Sequence, residues 1–172
     1  MEELRVLISR DQIQAKVEEL ARLIRSEYGP EELILICNLK GAFIFLADLC
    51  RELKSPLNTD FIAATSYKGT KSTGDVRIIK DLKMDVRDRH VLLVEDIVDT
   101  GLTVGYILDY LKLHHPRSLK ICTLLDKKVK RDIDITVDYC GFEIEDRFVV
   151  GYGLDYNERY RELDYIAELV IA

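Results

Sequence analysis

Residues 90–103, HVLLVEDIVDTGLT, decide how the rest of the chain is read. Val91, Leu92, Leu93 and Val94 form an unbroken apolar run, the pattern of a strand covered on both faces. Two adjacent carboxylates, Glu95 and Asp96, end it. Asp99, Thr100, Gly101, Leu102 and Thr103 then lead into a helical stretch over 104–113. Residues 100–103 can form a helix N-terminus whose free amides and two hydroxyls hold a phosphate. Gly101 lets the backbone approach the phosphate oxygens closely. Carboxylates this near would repel a phosphate unless they face something else, and sugar hydroxyls or Mg²⁺ are the natural candidates. A helix cap accounts for one acidic residue. It does not account for three at the end of an apolar strand. The chain has no GxxxxGK[ST] and no GxGxxG, which removes the P-loop and the dinucleotide fingerprint. Aspartyl-nucleophile phosphatases place two Asp two apart, whereas Asp96 and Asp99 are three apart.

Outward from this segment, Asp11 is expected to cap a helix reaching about Tyr28, with Ile13, Val17, Leu20 and Ile24 at helical spacing and Gly29-Pro30 as its stop. Residues 33–37 read as a buried strand, 42–53 as a helix and 61–64 as a second strand. The SYKGTKSTGD stretch, 66–75, reads as a mobile loop. Strands are expected at 76–79, 119–125 and 148–150. Strands alternating with helices imply an α/β fold, a mainly parallel sheet with helices on both faces. Such folds bind ligands at the carboxyl ends of their strands.

Length and composition narrow the function. With 172 residues and no linker or repeat, one domain spanning 1–172 is expected. Hydrophobic residues at 48% and charged residues at 33% predict a folded globule. A net charge of −6 argues against a nucleic-acid surface. The N-terminal stretch shows no secretory pattern, and the apolar runs at 33–37 and 42–47 are too short to span a bilayer, so no membrane partner is expected. Cys37, Cys50, Cys122 and Cys140 form no CxxC pair and read as reduced packing residues, which favours a cytoplasmic location.

Two acidic residues, two apolar ones and Asp-Thr-Gly-x-Thr closely resemble the 5-phosphoribosyl-1-pyrophosphate motif of the type I phosphoribosyltransferases, and within them the hypoxanthine-guanine branch. The resemblance covers roughly residues 33–163. It implies a twisted sheet with a small hood built from the chain ends. It assigns Glu95 and Asp96 to the ribose hydroxyls and their magnesium environment, and residues 99–103 to the 5′-phosphate. Asp99 is implied as the acid/base acting on purine N7. Leu39, Lys40 and Gly41 match the pyrophosphate loop, where a Leu-Lys bond can be cis, with Arg161 reaching the same group. Ser66 and Tyr67 match the start of a lid. Lys127 is implied as the donor to the purine 6-oxo group, although a lone Lys is usually solvated surface. The late motif, residues 147–157 (RFVVGYGLDYN), implies Phe148 stacked on the base, Val149 at its edge, and Asp155 as ligand of a second Mg²⁺ near the base. By its own apolar run, Phe148 reads as core. Residues 129–139 match poorly, and His90, His114 and His115 correspond to no expected group.

The resemblance therefore implies purine salvage. A 5-phosphoribosyl group passes from 5-phosphoribosyl-1-pyrophosphate to a 6-oxopurine, with Mg²⁺ as cofactor, in a homodimer or homotetramer. Two rivals stand beside it. One is transfer to another base, which Lys127 and the Phe148 motif disfavour. The other is a regulatory protein that keeps the pocket and binds RNA, which the acidic balance disfavours.

Overall fold

The structure, a computed structural model, describes residues 2–67 and 75–171. Its elements run β1 (Glu2–Ile8), α1 (Arg10–Tyr28), β2 (Leu33–Asn38), α2 (Phe43–Leu53), β3 (Leu57–Tyr67), β4 (Asp75–Lys80), β5 (His90–Val98), α3 (Leu102–Lys112), β6 (Ser118–Asp126), a 3₁₀ turn (Lys128–Lys130), β7 (Tyr139–Glu143), β8 (Val149–Val150) and β9 (Ile166–Ile171).

Helix α1 begins two residues earlier than expected. Ser9, not Asp11, is its N-cap. The Ser9 hydroxyl accepts from the Gln12 amide while the Gln12 side chain accepts from Ser9 N–H, a reciprocal capping box that satisfies two otherwise free donors. Asp11 sits in the first turn instead. Gly29, at φ 56°, ends the helix as expected.

The main sheet has the order β4-β3-β2-β5-β6-β7, parallel throughout except for β4. Strand β2 shows why. Its side chains alternate between two cores, Leu33, Leu35 and Cys37 packing under α1 and α2, Ile34 and Ile36 under α3. A strand buried on both faces needs apolar residues at every position, which is the run seen in the sequence. From β2 the chain moves to β3 and β4 on one side, then returns to β5, β6 and β7 on the other. The order therefore reverses between β2 and β5, which opens a crevice beyond their carboxyl ends.

Strands β1, β9 and β8 form a separate antiparallel sheet joining the two ends of the chain, in keeping with the expected hood. Several boundaries differ from the sequence reading. Strand β3 is longer than 61–64 and includes Ser66 and Tyr67, which pair with Val76 and Asp75 of β4. The expected 66–75 loop thus loses both ends to the sheet, and the rest of it, 68–74, lies outside the described residues. Strand β5 does not stop at the acidic pair but continues through Ile97 and Val98, still paired with Leu125 and Asp126 of β6. Phe148 precedes β8 rather than lying in it. Strands β1, β7 and β9 were not expected from residue patterns. Among the described residues, no helix is long and apolar enough to cross a membrane.

Candidate active site

The crevice at the carboxyl ends of β2 and β5 holds about 210 Å³ and is lined by Asn38, Glu95, Asp96, Asp99, Thr100, Gly101 and Thr103, with Ile97 and Val104. A larger cavity of about 520 Å³ lies between α1, α2 and the 152–164 segment. Its polar groups largely satisfy one another, through Arg51 and Tyr152 on Asp48 and Arg10 on Asp164. The smaller crevice gathers the candidate residues.

Glu95 is 2% exposed and Asp96 adjoins it. Burial first, and then the Asp96 charge, hold the Glu95 carboxyl well above the usual carboxylate range, opposed by a hydrogen bond from Asn38 Nδ2 to Oε2 (3.2 Å). Its Oε1 is buried and has no partner. Burial likewise raises Asp96 to about 6, against the backbone N–H of Ile97, which donates to Oδ1 at 2.8 Å, and the more distant charge of Arg161.

Gly101 caps α3 with φ 88°, a left-handed conformation that favours glycine. The cap residue makes no side-chain bond, and apart from a long contact from Leu102 N–H to Thr100 Oγ1 (3.4 Å) the first amides have no intrahelical partner. The poorly matching 129–139 segment supports the turn from behind. Asp132 N–H donates to Thr100 O (2.9 Å), and Ile133 and Ile135 fill the space that a Cβ on Gly101 would take.

Lys127 follows β6 and is anchored by its own N–H on Val98 O (2.9 Å). It is 6% exposed, not the solvated surface lysine that its charged neighbours suggested. Its Nζ lies 3.8 Å from Asp99 Oδ2 and 3.8 Å from Asp146 Oδ1. Asp99 Oδ1 is buried without a partner. Phe148 is 52% exposed, so core packing does not explain it. It stands edge-on to Tyr156 with ring centroids 5.7 Å apart. Val149 is buried within β8.

The turn after β2 contains a cis Leu39–Lys40 bond. Lys40 Nζ pairs with Glu158 (2.9 Å), and Arg161 pairs with Asp155 (2.9 Å) while donating to Gly153 O (2.7 Å). Asp155 also accepts from Glu158 N–H, so it serves its own turn. Two backbones and the Asp96 carboxylate meet here. A Cβ on Gly41 would lie 1.7 Å from Asp96 Oδ2, and one on Gly153 would lie 2.1 Å from Gly41 O.

Glu95, Asp96, Asp99 and the 100–103 turn thus share one crevice. Lys127 joins them through Asp99, and Gly41 and Arg161 through Asp96. Exposed Leu102 heads α3. Sequence reading missed three partners: Asn38, Asp146 and Glu158. Asn38 carried a signal, being a polar residue placed directly after a wholly apolar strand. Among the described residues no three His, Cys, Asp or Glu side chains converge to hold a metal by themselves.

A model of the phosphoribosyl transferase domain matches residues 9–157. The hypoxanthine phosphoribosyltransferase of Salmonella typhimurium is 47% identical over 169 residues, covering 96% of this chain and 95% of that protein. The hypoxanthine-guanine-xanthine phosphoribosyltransferase of Tritrichomonas foetus is 46% identical over 166 residues, covering 96% of this chain and 91% of that protein. The crystal structure of a hypoxanthine-guanine phosphoribosyltransferase from Bacillus anthracis superposes with a TM-score of 0.93 at 44% identity, covering 99% of this chain and 100% of that one.

Proposed function

This chain belongs to the phosphoribosyl transferase family, and from that premise we propose that it moves the 5-phosphoribosyl group of 5-phosphoribosyl-1-pyrophosphate to hypoxanthine or guanine, giving IMP or GMP and pyrophosphate. It is a purine-salvage transferase. The observation that carries the substrate reading is the Glu95–Asp96 pair, with Glu95 buried, beside the start of α3, which no cap side chain closes. Acceptors with no donor suit sugar hydroxyls, and free amides suit a phosphate.

In this reading Glu95 and Asp96 face the ribose hydroxyls, while Thr100, Gly101, Leu102 and Thr103 hold the 5′-phosphate through backbone N–H groups and the two threonine hydroxyls. Lys40 and Arg161 neutralise the pyrophosphate beside Gly41 and Leu39. Ser66 and Tyr67, at the end of β3, are the residues assigned to keeping water from the reacting carbon. Phe148 stacks on the base, Val149 meets its edge through the backbone, and Lys127 donates to the 6-oxo group. The 6-amino group of adenine cannot accept that bond. Asp99 takes the N7 proton as N9 attacks the anomeric carbon.

Magnesium fits this donor set, because it commonly takes one or two carboxylates and completes its shell with substrate oxygens and water. Asp96 and Glu95, with its orphan oxygen, are the residues that would hold one ion, and Asp155 would hold a second. When bound, the ion stabilises the departing pyrophosphate. Four free cysteines support a reducing, cytoplasmic setting. A single domain assembling as dimers or tetramers completes the proposal.

The test supplies protein, Mg²⁺ and donor with each base separately and follows nucleotide formation. Hypoxanthine or guanine should react, and adenine should not. Equal turnover of adenine would remove Lys127 from specificity.

A further inference from the structure

Among the described residues, Glu95 has no ion-pair partner, and its one hydrogen-bonding side chain is the amide of Asn38. Asn38 closes β2, pairs with Ile62 of β3 and lies one residue before the Leu39–Lys40 turn. From there it reaches across the β2–β5 seam to Glu95 Oε2 at 3.2 Å, and both residues line the crevice. Resting on the ribose reading of that crevice, we propose that Asn38 is a positioning residue which orients Glu95 and so sets recognition of the donor's vicinal hydroxyls.

A carboxylate has two oxygens in one plane, and fixing one fixes the other. With Oε2 tied to the amide, Oε1 is left as the acceptor, and it is buried with no partner. Asn38 Oδ1 is also buried and unpartnered. The pair therefore holds two unmet acceptors, and a vicinal diol brings two O–H donors. Removing one of those hydroxyls leaves a buried acceptor unmet, the arrangement that discriminates most strongly between otherwise similar ligands. Leucine at 38 would keep the volume and remove the only side-chain donor to Glu95. The carboxylate would then turn within its pocket, and neither oxygen would have a fixed direction.

Binding of ribose 5-phosphate, 2-deoxyribose 5-phosphate and inorganic phosphate, measured by calorimetry on the full chain, tests this. The unaltered protein should prefer ribose 5-phosphate to its deoxy analogue. In Asn38→Leu the ribose compound should weaken about ten-fold, the preference should collapse, and inorganic phosphate should bind as before. In steady state the donor KM should rise while the base KM holds. Asn38→Asp, of the same shape but without the donor, should lose the preference too and serves if the leucine variant melts early. On a Glu95→Gln background, Asn38→Leu should cost nothing further, because the effect passes through Glu95. A preference retained in both Asn38 variants overturns the role of Asn38 alone. No preference in the unaltered protein overturns the ribose reading as well.

Discussion

The two ends of the catalytic crevice handle charge in opposite ways. At the end assigned to the sugar, Glu95 and Asp96 lie side by side, and among the described residues a neutral amide is the only side chain bonded to Glu95. At the end assigned to the base, Lys127 is nearly as buried but stands between Asp99 and Asp146, 3.8 Å from each. One end keeps unmet acceptors, so it gains most from a ligand rich in O–H groups. The other leaves one acceptor unmet, Asp99 Oδ1, but pairs its cation with two carboxylates, so a ligand that takes Lys127 must exchange one partner for another. Unmet groups give affinity, whereas paired groups give selection and proton movement.

The sharpest way to break this contrast is Asp99→Asn. Removing the proton acceptor should lower kcat about 10²- to 10³-fold while donor binding changes little, as read by single-turnover kinetics and donor titration. Unchanged turnover would remove Asp99 from the chemistry. Phe148→Ala should raise the base KM about ten-fold with the donor KM and the melting temperature unchanged, because the ring is half exposed and contributes stacking rather than core. A large loss of melting temperature would return Phe148 to a packing role. Asp146→Asn should be milder, a few-fold rise in base KM, since Asp99 still pairs with Lys127.

The smallest effect concerns pH. Burial raises both Glu95 and Asp96, Asp96 to about 6, so the folded state holds protons that the unfolded chain releases. The stability they confer is complete below their ordinary values and is lost as pH rises through the raised ones. The melting temperature of the free protein should therefore fall by a few degrees between pH 5 and 8. Glu95→Gln should flatten that fall. An equal slope in the variant would place its source elsewhere.

Much of this was legible in the residues. Strands β2 and β5 announced themselves because burial on both faces demands unbroken apolar runs, and β6 did so through a mainly apolar stretch broken by Lys120 and Thr123. The acidic pair and the 99–103 turn lie close together in sequence, so spacing alone picked them out as candidates. What escaped depends on distant contacts. Strand β1 buries only Ile8 fully, so no alternation is imposed on it. Strand β7 carries Gly141, a residue that ordinarily weakens a strand, yet a Cβ there would lie 2.4 Å from Leu124 O. Asn38 and Asp146 meet their partners from 57 and 19 residues away, and no local pattern encodes such meetings. The Ser9 cap was readable from Gln12 three residues later, the signature of a reciprocal cap.

The contact of Gly153 on Gly41, and of Gly41 on Asp96, has a consequence for how this enzyme could change. The Asp96 carboxylate lies against the main chain at Gly41, and that main chain is backed in turn by the main chain at Gly153, so no side chain acts as a spacer behind the acid. Rotamer changes in neighbouring side chains cannot move that wall. A new specificity would have to come from the rim, through altered charges and donors, while the seat of the acid stays where the main chain holds it.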